Sequence, residues 1–262
     1  MKQRVLTAVI GLIIFLPFIV YGDWPFILII GLLATVGLSE LFQMKNITLF
    51  SFPAILSFVL LWIGFIDLFI YSFLANLPIN LTELALLAAF TLLAFIVLVK
   101  NHVTYSDMAF ILLSFIYVGV GFATVIETRL LGLDYILFAF LIIWFTDTGA
   151  YLIGRSIGKR KLWPEISPKK TIAGFNGGIA SAVLIALIFE MINPLYDNIV
   201  IVIMIAILGS ILAQLGDLVE SALKRTYGVK DSGRILPGHG GILDRFDSLI
   251  FMLPFLHFLQ FL

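Results

Sequence analysis

The stretch from Ile199 to Ser248, IVIVIMIAILGSILAQLGDLVESALKRTYGVKDSGRILPGHGGILDRFDS, decides the fold. It begins as an apolar run long enough to cross a hydrocarbon core, which takes about 20 helical residues. It then turns polar. Ser221 to Ser248 holds five of the sixteen basic residues, three carboxylates, one histidine and five glycines. Beyond it the chain is almost wholly apolar again. A dense polar island between two apolar helices is costly to bury in lipid. It therefore points to chemistry on a charged, phosphate-rich substrate at a membrane surface.

The same apolar pattern recurs along the chain. Of 262 residues, 61% are hydrophobic and 12% charged, where a soluble domain carries about a quarter charged. Nine candidate spans follow: residues 5–21, 25–43, 52–74, 83–99, 107–126, 134–155, 172–192, 198–223 and 243–262. The expected fold is an all-α polytopic membrane protein, one integral domain over 1–262. Residues 1–130 supply N-terminal membrane helices, and residues 131–262 carry the motifs. The leading MKQR and its apolar run are read as a retained first helix, because no small-residue cleavage site is evident. With no cysteine, disulfides, zinc thiolate sites and a cysteine nucleophile are excluded.

The net charge is zero, but its distribution is informative. With the N-terminus inside and loops alternating, fifteen of the sixteen basic residues fall inside and only Arg129 falls outside. That is the asymmetry of the positive-inside rule, so the N-terminus is expected in the cytoplasm and the C-terminus outside. Two long inside loops, 156–171 and 224–242, concentrate the base. In the early half, Glu40, Lys45, Lys100 and Asp107 are read as interfacial charges, Asp67 as an interior charge, and His102 and His257 as incidental.

Two constellations are able to carry chemistry. On the eighth span, Asp217, Glu220, Ser221 and Lys224 share a helix face, and on the ninth so do Asp244, Asp247 and Ser248. Asp217 and Asp244 are expected to approach each other near the inner surface. Paired carboxylates repel unless a proton or cation lies between them, and Mg²⁺ suits one or two carboxylates plus substrate phosphates. The alternative is that Asp217 pairs with Lys224 or Arg225. The connecting loop offers glycine-rich backbone N–H groups with Lys230, Arg234 and His239, and Gly240-Gly241 lead into a helix N-terminus able to favour an anion. The second constellation is residues 144–171. Asp147, Tyr151 and Arg155 share a face, with Asp147 about two turns inside the membrane. Ser167-Pro168-Lys169-Lys170-Thr171 precedes the seventh span, where lysines oppose the helix dipole unless an anion neutralises them. Gly174 and Gly178 read as a close helix-packing pair.

These residues resemble the signature of phosphatidate cytidylyltransferases, also called CDP-diacylglycerol synthases. The match comprises Ser221, Lys224-Arg225, Lys230-Asp231, Gly233, Leu236-Pro237, His239-Gly240-Gly241, Asp244-Arg245 and Asp247. Asp147-Thr148-Gly149-Ala150-Tyr151 and Ser167 to Thr171 look like two further family blocks. The resemblance covers about the last 120 residues. One departure is Ala173, where the family commonly has Glu.

The resemblance implies transfer of CMP from CTP to phosphatidate. It implies Mg²⁺ on Asp217 and Asp244, with room for a second cation, and Asp147 and Asp247 as further ligand or supporting candidates. Asp217, Asp244, Lys224, Asp147 and Asp247 are the expected catalytic set. Ser221, Lys224, Arg225, Lys230, Arg234, His239, Gly240, Gly241 and Arg245 are assigned to triphosphate or lipid phosphate, with Lys169, Lys170 and Thr171 completing the clamp. The expected partners are CTP, phosphatidate and membrane lipid, with no nucleic acid; a homodimer is left open. The expected location is the inner membrane of a bacterium, with the site facing the cytoplasm. A CTP-dependent polyprenol or dolichol kinase is the runner-up. An anion transporter is less favoured, because its coupling charges would lie near the midplane.

Overall fold

The computed structural model describes residues 2–71, 81–100 and 102–262. Its helices are α1 (Lys2–Tyr21), α2 (Asp23–Met44), α3 (Phe52–Tyr71), α4 (Leu81–Leu98), α5 (Tyr105–Leu131), α6 (Leu133–Ile157), α7 (Ile172–Ile192), α8 (Ile199–Thr226) and α9 (Leu243–Phe258). Each expected span overlaps one of them; residues 72–74 of the third lie outside the described residues. Among the described residues five helices, α2 and α5 to α8, are long and apolar enough to cross a membrane. The chain is thus an α-helical membrane protein. Helix α9 has 16 residues and carries Pro254.

One short element outside the spans accompanies the helices. Between α6 and α7 the chain forms an antiparallel hairpin, β1 (Lys161–Trp163) with β2 (Ser167–Thr171), pairing Lys161 with Thr171 and Trp163 with Ser167. Strands this short and exposed show no sustained period-two alternation, so they read as a basic loop.

The chain divides into two compact units. The first comprises residues 1–127 and 231–243, the second residues 128–230 and 244–262.

In the first unit α1 packs on α2, α2 on α3 and α3 on α4, around buried Phe26, Ile30, Leu38, Phe42 and Phe65. Lys45 and Asp107 pair at 2.8 Å, and the Lys45 ammonium also donates to the Ser106 carbonyl at 3.0 Å. Glu40 departs from the interfacial reading: it is only 4% exposed. Its carboxylate accepts from the Ser232 hydroxyl and from the Ile242 and Leu243 backbone N–H groups, each at 2.9 Å. A Cβ at Gly233 or Gly241 would collide with that carboxylate. The tip of the 231–243 segment closes through Leu236 N–H to the Gly240 carbonyl at 3.0 Å. Gly238 and Gly240 take φ of 77° and 87° there, where side chains are disfavoured. The Thr7 hydroxyl donates to the Pro237 carbonyl at 3.0 Å.

In the second unit α6, α7 and α8 pack against one another, and α6 and α7 most extensively. Glycine lets the backbones approach. A Cβ at Gly174 would lie 2.7 Å from the Ala150 carbonyl, and one at Gly177 2.6 Å from the Ile153 side chain. In lipid such close packing replaces the hydrophobic drive available in water. Thr146 on α6 donates to Ser210 on α8 at 2.9 Å. A Cβ at Gly216 would lie 2.7 Å from the Asp247 carbonyl, so α8 and α9 touch where the acidic residues sit. His257, read as incidental, lies 2.8 Å from the Thr128 hydroxyl.

Candidate active site

The C-terminal ends of α6 and α8, the start of α7 and the β-hairpin line a cavity of about 450 Å³. Two carboxylates, Asp147 and Asp217, line it together with Arg155, Lys161, Lys169, Lys170, Thr171, Tyr151 and Gln214. Each arrives for a local reason. Helical spacing puts Asp147, Tyr151 and Arg155 on successive turns of one α6 face, and Arg155 donates to the Tyr151 hydroxyl at 3.1 Å. Thr171 caps α7, accepting from the Gly174 N–H at 3.1 Å. The cap fixes where β2 ends, and hence where Lys169 and Lys170 stand.

Asp217 is paired with Lys170 at 2.6 Å and remains 38% exposed. The Lys170 ammonium also donates to the Gln214 carbonyl at 3.3 Å, one turn earlier on α8. The sequence-level alternative for Asp217 was a bond to Lys224 or Arg225. Both are engaged elsewhere: Lys224 bridges two other acids, and Arg225 donates to the Ile166 carbonyl of the hairpin turn at 3.4 Å. Ser221 donates to Asp217 at 3.4 Å.

One to two turns nearer the C-terminal end of α8 lies a second polar knot. The Lys224 ammonium sits between Glu220 at 2.8 Å and Asp244 at 2.6 Å, whose side chains are 1% and 6% exposed. Asp247 faces Glu220 and accepts the Ser248 N–H at 2.7 Å. Among the described residues none donates a hydrogen bond to the buried Glu220 Oε1. Three carboxylates around one ammonium leave an excess of negative charge, which a low-dielectric setting makes expensive.

The expected residues are thus distributed. Asp147, Asp217, Lys169, Lys170 and Thr171 meet around the cavity. Lys224, Asp244 and Asp247 join the adjoining network, while Ser221 bonds to Asp217. Arg245 is exposed in the first turn of α9, and its charge acts on Asp147. Lys230 is exposed at the edge of this unit. Arg234, His239, Gly240 and Gly241 belong to the other unit. The α9 N-terminus differs from its reading as an anion site, because Ile242 and Leu243 already donate to Glu40. The cavity residues that sequence reasoning did not assign are Gln214, Lys161 and Arg155. Gln214 was signalled by its place three residues before Asp217 in an apolar helix; Lys161 had no signal beyond its charge.

The donor set suits a hard divalent cation. Asp147 and Asp217 present carboxylate oxygens to one cavity, and cationic groups stand beside them. Among the described residues no group of three or more His, Asp or Glu side chains converges as a complete metal cage. That fits a cation which takes one or two protein carboxylates and completes its shell with water and substrate oxygens.

Comparisons with known proteins agree with this chemistry. The family model described as "Cytidylyltransferase family" matches residues 2–262. A Bacillus subtilis protein named phosphatidate cytidylyltransferase is 50% identical over 262 residues, covering 99% of this chain and 97% of that protein. Proteins of the same name from Staphylococcus epidermidis and Staphylococcus aureus are 49% and 47% identical, each covering 99% of this chain and 98% of the relative.

Proposed function

This chain belongs to the cytidylyltransferase family, and from that premise we propose that it is a phosphatidate cytidylyltransferase. It transfers CMP from CTP to phosphatidate, giving CDP-diacylglycerol and pyrophosphate for phospholipid synthesis. The observation that carries the reading is the cavity in which Asp147 and Asp217 face Lys161, Lys169, Lys170 and Arg155. An acidic pair alone suits a cation, and a basic cluster alone suits an anion. Their mixture suits a nucleoside triphosphate with its metal.

In the reaction an oxygen of the phosphatidate phosphate attacks the α-phosphorus of CTP. A P–O bond forms there, and the bond to the bridging oxygen breaks, with its electron pair leaving on pyrophosphate. The protein has little covalent work to do; positioning and electrostatic stabilisation supply the rate. Lys169, Lys170 and Thr171 hold phosphate oxygens at one wall. Arg155 and Lys161 extend that wall. Lys170 also neutralises Asp217, so it links the acidic and basic sides. Arg225, Lys230, Arg234, His239 and Arg245 are assigned to the remaining phosphate contacts, and Gly240 and Gly241 to the close approach of the backbone. A divalent cation, taken as Mg²⁺, would be held by Asp217, which lines the cavity beside Asp147, with Asp244, here paired with Lys224, as its second proposed ligand and Asp247 in support. When bound it neutralises charge on the triphosphate. Lys224 keeps Asp244 oriented.

The nine helices are taken as nine spans, with the N-terminus in the cytoplasm and the site at the cytoplasmic face of a bacterial inner membrane. The support is the partition of basic residues, fifteen of sixteen on one side. Lipid phosphate already lies at that interface, and the acyl tails stay in the bilayer.

The test is direct. The purified protein in detergent receives labelled CTP, phosphatidate and Mg²⁺. Pyrophosphate release that depends on phosphatidate is expected, and chelation should stop it. Release of CDP with a lipid alcohol would favour a lipid kinase instead. Turnover with neither lipid phosphate nor lipid alcohol would remove both readings.

A further inference from the structure

We propose that Glu40 is a positioning residue for CMP transfer, an inference that rests on the cytidylyltransferase reading. Its carboxylate, carried on α2, fixes the stem of the 231–243 segment and the start of α9. The next residue in the chain is Asp244.

Three observations converge on it. First, the acid is almost wholly buried, and it accepts from three donors at 2.9 Å: the Ser232 hydroxyl at one end of the segment, and the Ile242 and Leu243 N–H groups at the other. One carboxylate thus staples both ends of the segment together. Second, the two N–H groups lie at the start of α9, where a helix leaves unsatisfied donors and favours a negative charge. A residue about 200 positions away in sequence caps this helix. Third, the segment is shaped around the carboxylate. Any side chain at Gly233 or Gly241 would collide with it, and from Gly241 the Ser232 hydroxyl would be struck as well. These two glycines serve the acid rather than a phosphate alone.

The consequence for the reaction follows from chain continuity. Asp244 directly follows the stapled residues and keeps its own short bond to Lys224. Loosening the staple shifts the start of α9 and the aim of Asp244. An error of about 1 Å in a catalytic group costs on the order of a hundredfold in rate. The role differs from that of a buried acid that merely stabilises the fold, because it predicts altered metal use and not only a less stable protein.

The experiment uses the full chain in detergent with Glu40→Gln, Gly241→Ala and the double variant. The amide keeps the size of the acid but turns an NH₂ toward backbone donors. On folded protein, kcat should fall about ten- to hundredfold in each single variant, with half-saturating Mg²⁺ raised several-fold. The double variant should be little worse than either single one, because both break the same staple. Without any substrate, trypsin should cut after Lys230 or Arg234 several-fold faster in Glu40→Gln than in the parent. If Glu40→Gln does not fold, Gly241→Ala and Ser232→Ala carry the same expectations. Lower yield or melting temperature with unchanged kcat and unchanged Mg²⁺ requirement would overturn the proposal. A parent protein that fails to transfer CMP would remove the activity reading alone. Trypsin sensitivity then decides the staple, and unchanged cleavage overturns it.

Discussion

The two units hold their acids in opposite ways. In the first, Glu40 is surrounded by uncharged donors fixed to the backbone or to a short hydroxyl. In the second, Asp217 meets the mobile ammonium of Lys170 at the rim of a cavity and stays 38% exposed. The difference separates holding from exchanging. Neutral donors built into the chain are held in place by it, so such an acid anchors. An ammonium on a flexible stem is equally able to pair with a phosphate, so the acid beside it is available to a cation. The Lys224 knot lies between these cases: it is ionic like the rim but buried like the staple.

The largest effect should come from Asp217→Asn. It keeps the shape and deletes the exchangeable charge. An activity loss of about a thousandfold is expected, or about 4 kcal/mol of barrier, with normal membrane insertion; Asp244→Asn should act in the same direction. Near-normal turnover in either would withdraw the metal assignment and break the contrast at its active end. Next comes Lys224→Met, which leaves Glu220 and Asp244 buried without their common cation. Breaking a buried pair in this way costs about 3–5 kcal/mol. Thermal unfolding in detergent should show it as a marked fall in Tm. An unchanged Tm would mean that the knot behaves as the rim does. The smallest effect belongs to Thr171→Ala, which removes the cap of α7 and should cost about 1 kcal/mol. Thr171→Ser should recover most of that stability, and failure to do so would mean that the threonine methyl, not the hydroxyl, matters.

The helices were legible because apolar runs of membrane length have few other uses. Asp147 and Asp217 were legible too, since an acid two turns inside such a run is hard to explain as a surface group. The hairpin was not, because Lys161 to Thr171 is short, exposed and lacks alternation. Lys170 as the partner of Asp217 was also hidden. Helical spacing identifies neighbours on one helix, and the bond crosses from β2 to α8. Glu40 was misread for the same reason. Its place near the end of α2 looks interfacial, and no local pattern announces donors that lie 192 to 203 residues later in sequence.

That separation has a bearing on how the protein is made. Ribosomes add about 5–20 residues per second, so roughly 10–40 s pass between the emergence of Glu40 and that of Ser232. Throughout that interval α2 is already in place while those three donors do not yet exist. The nascent membrane bundle stays unfinished until nearly the last helix arrives. Chains that terminate before residue 231 would keep α2 in that provisional state.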